Sequence, residues 1–158
     1  MRGDRLLGIY LNDHLAGASA VRDRCEAARD ANHGTDLGLF LDELLGEIVE
    51  DRRVLLEVTA AVGVASSTLK QTLARLAERV GRLKLNGQLT GYSPLSRFEE
   101  LELLSVGVEG KRLLWVALGE LGDPRLVRFD FAALRDRAER QREGIEGHRR
   151  AAARTALA

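Results

Sequence analysis

Apolar residues recur along this chain at alternating spacings of four and three, the signature of helical faces packed on one another. The first such stretch, about 5–31, sets Leu7, Leu11, His14, Ala18, Val21 and Cys25 on one face. Asn32-His33-Gly34 closes it, with Gly34 suited to a left-handed cap, and Thr35 stands where it can cap a second helix over 35–62. That second helix has the clearest seam: Leu37, Leu41, Leu44, Ile48, Asp51, Leu55, Val58 and Val62, broken once, by Asp51. Gly63 ends it. A third helix over 66–85 follows Leu69, Leu73, Leu76, Val80 and Leu83, opens on a Thr68/Gln71 capping box, and stops at Asn86-Gly87. After a polar loop, Ser93-Pro94 reads as an N-cap with proline at the first helical position, opening a fourth helix over 94–121. Gly122-Asp123-Pro124 breaks it. A fifth helix, over 130–150, has only a thin stripe of Phe131, Leu134, Ala138 and Ile145, and the Arg- and Ala-rich end is expected to fray. The pattern predicts one all-α domain over 1–158, an antiparallel up-down-up-down four-helix bundle with a shorter fifth C-terminal helix.

Charge adds a pairing rule. The second predicted helix carries seven acidic residues against Arg52 and Arg53, the third five basic residues against Glu78. Opposite charge on neighbouring helices favours one arrangement over its alternatives. The formal net charge of the whole chain is zero, which argues against a dedicated nucleic-acid binder. The single cysteine, Cys25, excludes a disulfide within the chain and agrees with a reducing compartment. No apolar run reaches membrane-spanning length, and the N-terminal segment is too polar after Ile9 for a signal-peptide core. The expected location is the cytoplasm, away from any membrane.

Three stretches carry a family resemblance: YLNDHLAGASA (Tyr10–Ala20), GRLKLNGQLTGYSPLSR (Gly81–Arg97) and GVEGKRLLW (Gly107–Trp115). Together with the helix lengths they resemble a group of small actinobacterial helical-bundle proteins with a ferritin-like fold. The resemblance implies a fold; the group brings no activity with it. Di-iron members of the wider superfamily use a Glu on each of two helices and Glu-x-x-His on the other two. This sequence has no Glu-x-x-His within its four predicted bundle helices, so ferritin-like shape does not license ferritin-like chemistry.

His14 and Asp51 stand out as polar residues on apolar seams. Counted from the expected turns, they fall at the same height on antiparallel helices, and Glu78 and Glu102 reach that height on the next two. With Glu47 nearby, His14, Asp51, Glu78 and Glu102 form the candidate metal set, and imidazole with carboxylates suits iron, manganese or zinc. The simpler reading is favoured: His14 and Asp51 pair with each other inside the bundle and fix helix register, because most buried polar groups serve satisfaction alone. Cys25 reads as a small core residue, and Tyr10 and Trp115 as core or interface aromatics. Gly46, Gly81, Gly107 and Gly110 lie inside helices, where their expected use is close helix approach.

The sequence thus favours a non-catalytic interaction or structural module without catalytic or cofactor-binding residues. It is expected to self-associate through spare apolar surface left by the thin fifth helix, with Trp115 a candidate member of that surface. The alternative is a metal-binding bundle with redox activity.

Overall fold

The computed structural model describes residues 2–64 and 91–158. Among them the chain forms four α-helices and one short 3₁₀ turn, with no strand. α1 is Arg2–Ala31, α2 is Asp36–Ala61, α3 is Pro94–Glu120 and α4 is Phe131–Ala156, with the 3₁₀ turn Pro124–Leu126 between the last two. The helix expected over 66–85, with Gly81, lies outside the described residues.

The helix ends follow the local chemistry. Gly34, at φ 78°, takes the left-handed conformation that a side chain would strain, and the chain turns there. Thr35 Oγ1 then accepts the Gly38 N–H at 3.1 Å, Ser93 Oγ the Ser96 N–H at 3.1 Å, and an Asp130 carboxylate oxygen the Ala133 N–H at 2.9 Å. Each takes up a donor that the first helical turn leaves without a partner. α4 departs from expectation. At 26 residues it matches α2 in length, and its Arg- and Ala-rich end stays helical to Ala156. Alanine and arginine are strong helix formers, Glu146 bridges to Arg149 and Arg150 one turn on, and Ala152 is buried.

Residue pairs fix the helix directions. Arg29 meets Asp42, Ser19 meets Arg52 and Val64 packs over Gly8, so α1 and α2 run antiparallel. Arg24 with Glu100 and Val21 with Gly107 set α3 antiparallel to α1. Glu102 with Arg149 and Trp115 with Phe131 set α4 antiparallel to α3. Phe40 with His148 and Asp51 with Arg137 do the same for α4 and α2. The four helices therefore close a ring in the order α1, α2, α4, α3, every neighbouring pair antiparallel. The segment expected to be a thin fifth helix is one side of this ring.

The α2 seam is buried from Leu41 to Val62, Asp51 included. α1 is turned from its expected face. Leu15, Ala16 and Ala28 join Leu11 and Cys25 in the core, while His14, Ala18 and Val21 are half-buried. At the crossing with α3, a Cβ built on Gly107 would sit 2.3 Å from Val21 Cγ2. Only glycine lets the two helices meet so closely. Beyond this contact, toward the α1 N-terminus, a cavity lies between them.

Candidate functional site: a cavity beside a buried ionic centre

The cavity, about 290 Å³, lies among α1, α2 and α3. α1 contributes His14 and Gly17, α2 contributes Ile48, Asp51, Arg52 and Leu55, and α3 contributes Gly110, Lys111, Leu114 and Trp115. Its wall is mostly apolar, with a few polar groups converging on it, the usual make-up of a small-molecule site. Gly17 and Gly110 help to make the space: a Cβ on either would meet no atom within 4 Å. Of the interior glycines, Gly107 serves close approach as expected, whereas Gly110 borders a cavity and Gly46 meets no neighbour within 4 Å.

Asp51 anchors the polar side. It is 2% exposed, and both carboxylate oxygens are engaged. Oδ2 accepts from Lys111 Nζ at 2.5 Å and from Gln141 Nε2 at 3.2 Å, while Oδ1 accepts from the Arg137 guanidinium. Lys111 Nζ also donates to Gln141 Oε1 at 2.5 Å, and Gln141 Nε2 donates on to Glu47 at 2.7 Å. One carboxylate and two cations thus meet across α2, α3 and α4. Burial pulls the Lys111 ammonium below the usual lysine value, and Asp51 opposes that pull. Charges this far from water persist only when paired and hydrogen-bonded.

The expected polar layer is rearranged. His14 and Asp51 do share one region, since both line the cavity, but Asp51 is bonded to Lys111, Arg137 and Gln141 rather than to His14. His14 instead sets its ring edge-on to Tyr10, centroids 4.6 Å apart, and burial lowers its pKa against the pull of Asp13. Glu102 is exposed and pairs with Arg149, away from Asp51. Glu47 reaches the centre through Gln141, and Glu78 lies outside the described residues. The level of Asp51 on α3 is held by Lys111, further along the helix than a count through the loops places it. Among the described residues no group of three or more His, Cys, Asp or Glu side chains is placed to share a metal ion.

Sequence reasoning passed over Lys111, Gln141 and Arg137, yet two of them left a signal. Leu101, Leu104, Val108, Lys111, Trp115 and Leu118 follow the same three-four spacing as the α2 seam, and Gln141 stands between Ala138 and Ile145. Arg137 lies off its seam and gave none. Cys25 is fully buried, its Sγ donating to the Leu41 carbonyl at 3.6 Å; burial pushes the thiol up to about 12, which suits a core residue and not a nucleophile. Trp115 is likewise core, stacked on Phe131 at 6.2 Å, and is not available as an interface residue. No helix among the described residues is long and apolar enough to cross a membrane.

No protein-family model, no curated protein and no solved structure matches this chain.

Proposed function

We propose that this chain is a non-catalytic helical-bundle binding module whose α1/α2/α3 cavity takes a small, mostly apolar molecule. The carrying observation is the cavity itself: space held open by Gly17 and Gly110, walled by Leu55, Leu114 and Trp115, and bordered by a fixed ionic centre. The buried pairs fix α2 and α3, two of the three walls of that space, in register with α4, the use of interior polar groups best attested elsewhere. Nothing in the arrangement pairs a nucleophile with a base: Cys25 is sealed in the core, and His14 accepts and donates no hydrogen bond among the described residues. Thermal unfolding with and without octan-1-ol tests the reading. Saturating alcohol should raise the wild-type midpoint by several degrees, as ligand linkage requires. The variant Gly110→Leu, which fills the cavity, should unfold at the same midpoint with or without it. Equal responses from both proteins would remove the reading.

Self-association is a second proposal, and it rests on α3. Leu103, Val106, Leu113 and Leu121, with Ala117 between the last two, are exposed on the side of α3 away from the core. Val106 is 71% exposed and Leu113 51%. A second apolar face on one helix is the pattern of a helix that packs twice. Sedimentation at high micromolar concentration should show a dimer for the wild type and a monomer for Val106→Glu, Leu113→Glu. A monomeric wild type would end this proposal and leave the cavity reading untouched.

A further inference from the structure

Taking the cavity as a ligand site, we infer that its ligand is a small aliphatic monocarboxylate, with the carboxylate held by Arg52 and Lys111 and the hydrocarbon against Leu55, Leu114 and Trp115. The inference rests on the cavity reading and adds the chemical class. Two cationic side chains line the wall with donors to spare. The Arg52 guanidinium is half-buried and makes one hydrogen bond among the described residues, from Nε to Ser19 Oγ at 3.2 Å, and it has no ion pair there. Lys111 Nζ has three N–H groups, of which Asp51 and Gln141 take two. The acidic side chains on the wall do not balance this pair. Asp51 is already shared between Lys111 and Arg137, and Asp13 is exposed at the edge.

A guanidinium fork matches a carboxylate best. One carboxylate can accept from the spare donors of Arg52 and Lys111. A second would have to enter a mostly apolar space without a partner, which disfavours dianions. The volume, at the small end of ligand pockets, limits the body to a short chain.

Calorimetric titration of octanoate and of octan-1-ol into the wild type, Arg52→Gln and Gly110→Leu separates the possibilities. Arg52→Gln leaves the Asp51 centre intact, so the protein folds with its cavity. Octanoate should bind the wild type at least about tenfold more tightly than the alcohol. Arg52→Gln should remove most of that advantage, and Gly110→Leu should abolish both titrations. Equal affinities for the two probes, both lost in Gly110→Leu, would overturn the carboxylate assignment and leave the cavity site standing. A tighter octanoate unaffected by Arg52→Gln would overturn the role of Arg52. No binding of either probe would overturn the cavity reading, and this inference with it.

Discussion

Asp51→Ala should lower the free energy of unfolding by about 3–5 kcal/mol, the cost of breaking a buried ion pair from one side. The loss does not come from the attraction removed so much as from what is left behind. Without the carboxylate, the Lys111 ammonium keeps Gln141 Oε1 as its only remaining acceptor among the described residues, with its side chain 16% exposed. Arg137 is better placed to recover. It is 27% exposed and lies near Glu50, whose carboxyl is held below its usual pKa mainly by the Arg53 hydrogen bond, with Arg137 adding a smaller pull. Lys111 therefore carries most of the penalty. The double variant Asp51→Leu, Lys111→Met should regain most of the lost stability, because an apolar pair of similar volume replaces the ions without leaving either unpaired. Urea denaturation of the three proteins measures both effects. A loss below about 1 kcal/mol for Asp51→Ala would place the pair in the range of solvent-exposed bridges, and the centre could not then be what holds α2, α3 and α4 in register.

The same centre shows how much of the site the sequence carries. A polar residue on an otherwise apolar seam is visible in the pattern, and Asp51 was visible for that reason. Lys111 and Gln141 occupy equivalent places on α3 and α4, so three helices each bring one polar seam residue to one point. Reading the interruptions of all three seams together, instead of counting heights through turns, would have assembled the centre. Counting failed at Glu102 because the count runs through two turns placed from sequence alone, and an error of ~2–4 residues at each moves every later level. The face of α1 was misread for a different reason. Leu15, Ala16 and Ala28 compete with Ala18 and Val21 for the core, and Val21 packs instead over Gly107 of another helix. Periodicity within a segment cannot register a contact made by a neighbour. Caps are the opposite case. Thr35 and Ser93 act within one turn of themselves, and each stands where the sequence alone puts it.

The second large effect is a difference in sign between two glycines of one helix. Gly46→Ala should raise the stability of the protein by about 1 kcal/mol, since alanine is the better helix former and a Cβ there meets no atom within 4 Å. Gly38→Ala should lower it by about 1–3 kcal/mol, because its Cβ would lie 2.2 Å from the Asn32 carbonyl oxygen and 2.9 Å from the carbonyl carbon. A flexible side chain could move aside; this backbone is held. The Asn32 carbonyl accepts from the Thr35 N–H at 3.2 Å and from Thr35 Oγ1 at 2.7 Å, so displacing it loosens the residue that caps α2. The Asn32 side chain donates to the Ala28 carbonyl and to Tyr92 Oη, each at 2.7 Å, which ties the same turn to the residues just before α3. Yielding at Gly38 would therefore disturb three helices at the end of the bundle opposite the Val64–Gly8 contact. Urea denaturation of the two variants side by side decides the matter. A loss at Gly38 with a gain at Gly46 follows from a turn fixed by its hydrogen bonds, whereas a gain at both would mean that the Asn32 turn shifts freely and contributes little to how α1, α2 and α3 are joined.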